Sequence, residues 1–217
     1  YWEADARVEA YRAMLNCLLA SHFGAPEAAN VVEYAHDIDL DNFRASLKAL
    51  NQDARDLISE ARRIAKNERF FHWEIEFPEA FFEQQNAGVK EKENPGFDVV
   101  IGNPPYVRQE QLGSDKEYYE TAYDVYHGVA DIYVYFYERG HDLLEPDGLF
   151  GMITSNKFMR ANYGGPVREF LSESCGLKQL IDFGDLPVFG EVTAYPVICI
   201  SGHQRAGDGV NYLEVNN

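Results

Sequence analysis

Residues Phe97-Asp98-Val99-Val100-Ile101-Gly102 form a short, almost continuously apolar run that stops at a glycine, and Asn103-Pro104-Pro105-Tyr106 follows at once. No other stretch leaves the fold so little freedom. A six-residue apolar run bounded by Gly and Pro is the pattern of a buried parallel strand. Two prolines cannot continue a ladder, because neither carries an N–H. The strand therefore ends at Gly102, and the tetrapeptide falls at its carboxyl end, where open α/β sheets place their ligands.

The chemistry available there is specific. An exocyclic amine on a heteroaromatic ring is a poor nucleophile, because its lone pair is delocalised into the ring. Two acceptors aimed at its two hydrogens favour a tetrahedral nitrogen with the lone pair free. The Asn103 side-chain oxygen and the Pro104 carbonyl are such acceptors. The diproline fixes φ near −65° and leaves little ordering entropy to lose. Tyr106 offers a flat face for a planar base, a contact of about 1–3 kcal/mol.

The rest of the pattern is α/β. Leu149 to Thr154, Lys178 to Phe183, Tyr195 to Ile200 and Val210 to Val215 read as strands, the last at an edge. A helix is expected from Asp131, as N-cap, to Leu144, with Ile132, Tyr133, Phe136, Leu143 and Leu144 on its buried side. Pro166 suits the first turn of a helix ending near Cys175-Gly176. Val107 to Gly128, rich in tyrosine, reads either as a flap over a substrate, with Arg108 and Lys116 reaching phosphates, or as a short surface helix.

Before the central run, residues 1 to 69 read as helical. Val8, Tyr11, Leu15, Leu18 and His22 recur at helical spacing, and Gly24-Ala25-Pro26 breaks that helix. Phe43, Leu47, Leu50, Ala54, Leu57, Ala61 and Ile64 form a second stripe after an acidic start at Asp39 and Asp41. Two matching stripes favour a hairpin over a partner-binding coiled coil. Phe70 to Phe82 reads as an extended segment beside the sheet, with His72 and Trp73 as core residues, and Asn86 to Pro95 as a solvated loop.

Charge bears on partners. With 19 basic and 36 acidic residues the net charge is −17, so this surface alone is a poor grip for a phosphate backbone. Cys17, Cys175 and Cys199 lie far apart, with neither zinc-ligand spacing nor a disulfide framework, and a reducing cytoplasm is expected. No apolar run is long enough to cross a bilayer, so no membrane association is expected. The abrupt helical start at Tyr1, without methionine, is read as that of a fragment.

With its flanks, the tetrapeptide resembles motif IV of S-adenosylmethionine-dependent amino-methyltransferases, in particular the adenine-N6 DNA methyltransferases. Phe71-His72-Trp73-Glu74-Ile75-Glu76-Phe77-Pro78-Glu79 upstream, Val107-Arg108-Gln109-Glu110 downstream, and Ala130-Asp131-Ile132-Tyr133-Val134-Tyr135-Phe136 beyond narrow the likeness to the Eco57I-like, type IIG restriction-modification group. The resemblance runs from about Phe70 to Ile200. It implies strands four to seven of a seven-stranded Rossmann-like sheet, the last antiparallel, preceded by a helical hairpin or insertion over residues 1–69.

By the same resemblance, Asn103 and Pro104 hold the target amine and Tyr106 stacks on an adenine extruded from the duplex. Pro105 and Phe136 border the adenine of S-adenosylmethionine. Gly184-Asp185-Leu186-Pro187-Val188-Phe189 resembles motif VIII, so that Phe189 stacks opposite the tyrosine. Asn156 and Lys157 are neighbours of the substrate. No metal is implied. The glycine-rich cofactor loop is expected upstream of Tyr1 and the target-recognition domain for double-stranded DNA downstream of Asn217, which leaves the isolated chain without appreciable cofactor affinity. Two alternatives stand beside this reading: a non-catalytic module that binds a partner or nucleic acid, and a methyltransferase acting on a glutamine amide.

Overall fold

The computed structural model describes residues 6–37, 43–85, 88–113, 115–189, 195–203 and 209–215. The chain forms two compact units, Tyr1–Glu79 and Ala80–Asn217. The acidic helix start expected at Asp39 and Asp41 lies outside the described residues.

In the first unit α1 (Ala6–Ala20) packs beside α3 (Gln52–Glu68), with a 3-10 helix (Pro26–Asp37) and α2 (Phe43–Ala49) between them in sequence. Asn51 caps α3, its side-chain oxygen accepting from the Ala54 N–H at 2.8 Å, which satisfies a donor that the first helical turn leaves unpaired. Gly24, at φ +95°, takes the left-handed backbone that ends the first helical segment.

The buried stripe of α3 is the expected one, through Ala54, Ala61 and Ile64, with Ile58 added. On α1 the buried residues are Val8, as expected, with Ala10, Ala13, Cys17 and Ala20, whereas Tyr11 and Leu18 are exposed. Beyond Val8 the expected stripe of large side chains is therefore corrected: small side chains let this helix approach its neighbours closely, and Tyr11 and Leu18 point away. The segment expected as extended between Phe70 and Phe82 is mostly helical, with α4 (Trp73–Glu76) and α5 (Pro78–Phe81). His72 is buried and bonds Asn16 Oδ1 at 2.8 Å, while Glu76 pairs with Arg12 at 2.6 Å. Both contacts tie this segment to α1, consistent with the core reading of His72.

The second unit opens with a small hairpin, β1 (Phe82–Gln85) against β2 (Gly88–Glu91), where a solvated loop was expected. The main sheet contains β3 (Phe97–Gly102), β4 (Leu144–Ser155), β5 (Gln179–Asp182), β6 (Pro196–Gly202) and β7 (Asn211–Glu214), in the spatial order β3-β4-β6-β5-β7. β3 is parallel to β4, β6 runs antiparallel to both β4 and β5, and β5 is parallel to β7. Four strands thus run one way with a single reversed strand among them. This is the α/β Rossmann-like arrangement expected, including the antiparallel fourth strand and the edge position of the last.

Pro146-Asp147-Gly148 turns within β4 itself: Phe97 pairs with Leu144 and Val99 with Leu149, so the intervening residues of β4 bulge out of the ladder.

One face of this sheet carries α7 (Tyr133–Asp142) and α8 (Gly165–Glu169), the latter continued by a π turn over Phe170–Ser174. Phe150, Met152, Val197 and Cys199 of the sheet are buried against Tyr133, Val134, Tyr137, Val167 and Leu171. A Cβ at Gly140 would overlap the Phe150 ring, so α7 can lie this close to β4 only with glycine there. The expectation that β3 is buried on both faces is corrected: Val99 and Ile101 are 55% and 78% exposed, since β3 forms an edge of the described sheet and no described element covers that side.

Candidate functional site

β3, β4 and β5 all point the same way, so the segments that follow them share one edge of the sheet. Asn103-Pro104-Pro105-Tyr106 leaves β3 there, Asn156–Met159 leaves β4 as a short 3-10 turn, and Phe183 to Phe189 leaves β5.

In the tetrapeptide Pro104 is buried, while Asn103, Pro105 and Tyr106 are exposed. The first proline anchors the loop and its neighbours face solvent. Among the described residues, neither the Asn103 side chain nor the Pro104 carbonyl makes a hydrogen bond. Two acceptors one residue apart on a stiff loop are thus unengaged among the described residues.

Tyr106 leans on Tyr133 of α7, the ring centroids 6.4 Å apart and tilted by 56°, yet remains 40% exposed. Partial burial raises its phenol above the ordinary tyrosine range, so the ring is neutral at any ordinary pH. Behind it, the Tyr133 hydroxyl bonds that of Tyr163 at 2.9 Å and the Tyr137 hydroxyl bonds Thr154 Oγ1 at 2.7 Å. Desolvation holds Tyr133 and Tyr137 protonated as well. Two hydroxyl pairs therefore brace the helix that supports Tyr106.

The loop's exit is pinned to the same helix. Ile132 N–H donates to the Val107 carbonyl at 3.1 Å, and Gln109 N–H to Asp131 Oδ1 at 3.3 Å. Asp131 was expected to cap α7; its carboxylate instead holds the incoming strand-to-helix connection, and the helix begins at Tyr133 with no side-chain cap. The tyrosine-rich segment is a helix, α6 (Asp115–Ala122), with attached turns. Tyr119, Tyr123 and Tyr126 pack their rings around Tyr135 at 4.5, 5.4 and 6.4 Å, and both Glu138 oxygens accept from backbone N–H groups of Asp124 and Val125. The surface-helix alternative is the one observed. Lys116 bonds Gln109 and the Gly128 carbonyl, while Arg108 is exposed at the start of the Gln109–Gln111 turn.

Phe136 is corrected from the buried to the exposed side of α7, at 38% exposure, since Tyr133, Val134, Tyr135 and Tyr137 take the covered positions. A ring facing solvent on this helix is free to meet a ligand, which a core ring is not. Phe189 is half-buried at the end of the connection after β5; the ring contact of Tyr106 is with Tyr133, and none is present between Tyr106 and Phe189. Asn156 Nδ2 donates to Asp182 Oδ1 at 2.9 Å.

Sequence reasoning missed the supporting group of Tyr133, Tyr163, Tyr137 and Thr154. The spacing of Tyr133 and Tyr137 by four was the available signal, but Tyr163 and Thr154 are remote in sequence. Cys17, Cys175 and Cys199 are buried free thiols, pushed by burial to about 11, 12 and 12. Among the described residues no three His, Cys, Asp or Glu side chains cluster as metal ligands, and no helix is long and apolar enough to cross a membrane.

A family model described as Eco57I restriction-modification methylase matches residues 6–189. The type II methyltransferase M.PaeR7I of Pseudomonas aeruginosa is 40% identical over 117 residues, covering 51% of this chain and 20% of that protein. The type II restriction enzyme and methyltransferase RM.Eco57I of Escherichia coli is 31% identical over 128 residues, covering 57% and 13%. The adenine-specific methyltransferase PglX of Streptomyces coelicolor is 30% identical over 124 residues, covering 53% and 10%. The chain spans at most a fifth of the length of these relatives.

Proposed function

From the premise that this chain belongs to the Eco57I restriction-modification methylase family, we propose that it is the catalytic part of a DNA methyltransferase acting on the N6 amine of adenine. The observation that carries this reading is the pair of unengaged acceptors at Asn103 and Pro104 beside the exposed ring of Tyr106. Asn103 Oδ1 and the Pro104 carbonyl take the two amino hydrogens and orient the nitrogen lone pair outward. Tyr106, backed by Tyr133, carries the extruded base on its open face, and Phe189 closes over the other side. Arg108 contacts the backbone beside it. The name of the PglX relative favours adenine over other amines.

S-adenosylmethionine, when bound, supplies an electrophilic methyl group. Pro105 and Phe136 both present solvent-facing surface, which suits them to border its adenine ring. The edge position of β3 favours the view that further strands, carrying the main cofactor loop, complete the sheet beside it, and the exposed Val99 and Ile101 suit a face that helices cover. Residues 70–217 are then part of a catalytic domain, residues 1–69 an insertion, and duplex recognition is shared with a further domain.

The test is Asn103→Ala in the full-length protein, assayed by transfer of labelled methyl groups to duplex DNA. The expected result is a loss of turnover of about 100- to 1,000-fold or more, with duplex affinity retained. Undiminished turnover would overturn the role of Asn103.

A further inference from the structure

Beyond the Tyr106 loop, the same edge of the sheet holds a recess of about 590 Å³ where β4, β6 and β5 end or begin. Asp182 is the buried member of its lining. Its Oδ1 accepts from Asn156 Nδ2 and from Gly184 N–H, both at 2.9 Å, and its Oδ2 from the Tyr212 hydroxyl at 3.2 Å. The carboxylate is therefore engaged in joining the ends of β4, β5 and β7, and acts as the floor of the recess.

The cations on its wall are not engaged in this way. Lys157 and Arg160 are both exposed, and among the described residues neither has a carboxylate within 4.0 Å or a hydrogen bond from its side chain. By contrast Arg12, Arg62, Arg63 and Arg139 are all in ion pairs. Lys157 and Arg160 share the recess with three carboxylates, Asp182, Asp185 and Glu214, of which Asp182 is already engaged by Asn156, Gly184 and Tyr212. The charge of Asp185 and Glu214 confines an anion to the Lys157 and Arg160 side.

We propose that Lys157 and Arg160 seat the phosphodiester backbone of the strand whose base lies at Tyr106. This rests on the DNA reading above. β4 is the direct neighbour of β3 and runs three residues past Met152, the partner of Gly102, to Ser155, so the recess opens about 4.8 Å across the sheet and about 10 Å further along it from the end of β3. A duplex strand carries one phosphate per about 3.4 Å of axis. The phosphates of the target nucleotide and its neighbours are the anions within that reach. Such contacts hold the strand in register and carry no sequence information.

Duplex affinity of the full-length protein, measured by fluorescence anisotropy across a salt series on target and non-target duplexes, tests the seat. Lys157→Gln and Arg160→Gln should each lower the slope of log affinity against log salt by about 0.9, weaken both duplexes by the same factor, and leave Lys157→Arg with the original slope. Slopes unchanged in both glutamine variants overturn the seat. Slopes equally reduced in Lys157→Arg overturn it too, since charge is then not the cause. The methylation reading fails separately, on an unsubstituted protein that transfers no methyl group to duplex adenine; the salt slopes are still read in that case and still decide the seat.

Discussion

The two faces of the main sheet are built from equally apolar strands and meet opposite fates. On one, Phe150, Met152, Val197 and Cys199 are buried under α7 and α8. On the other, Val99, Ile101 and Leu149 are 55%, 78% and 42% exposed. Val99 and Leu149 are directly paired across β3 and β4, so these side chains form a contiguous apolar surface. Strand composition therefore records burial on both sides, as in sheets flanked by helices on each face, while the described residues bury only one. What stabilises this unit is the covered face; what the open face is made for lies in contacts it does not make here.

That contrast can be broken or sharpened by measurement. Phe150→Ala should have the largest effect, about 3–5 kcal/mol of unfolding free energy by denaturant titration, because it removes a wholly buried ring packed against Tyr137 and His141.

Next in size is a pH effect on the same face. His141 is buried between the Tyr137 carbonyl and the Ser201 hydroxyl, and desolvation lowers its pKa from 6.5 to about 4. The unfolded chain takes up this proton first. Stability from this group is thus complete above about pH 6.5 and is lost as pH falls toward about 4, by on the order of 3 kcal/mol. Denaturant midpoints from pH 7 to 4.5 check this, and His141→Gln should remove that share of the dependence.

The smallest effect belongs to the open face. Ile101→Ser should change stability of this chain by no more than about 0.5 kcal/mol. If it costs as much as Phe150→Ala, the two faces do not differ as described.

The strands and the loop at Asn103 were legible because each leaves a local mark, an apolar run, a terminating glycine, a diproline, whereas the antiparallel direction of β6 was implied only by the family resemblance. The stripe on α3 was legible for the same reason. The buried face of α1 was not, because Ala10, Ala13 and Ala20 are buried by close approach rather than by bulk, and helical spacing weighted by side-chain size selects Tyr11 and Leu18 instead. Trp73 and Phe77, spaced by four and stacked at 5.8 Å, marked a helical turn that their aromatic density disguised as a strand. Within the site, Asp131 fits the pattern of a cap, and only the fold brings Gln109 N–H to compete for it. Phe136 lies between the buried Tyr135 and Tyr137 on a helix whose covered side is filled largely by tyrosines; spacing alone could not rank them.

The reversed direction of β6 has a consequence for how such a chain diversifies. Because β5 runs out at the edge where β6 runs in, the excursion from Asp182 to Pro196 starts and ends on one rim of the sheet. Residues can be gained, lost or exchanged in that excursion while every ladder keeps its register. Selection for a new recognition preference could therefore act there with little penalty to folding.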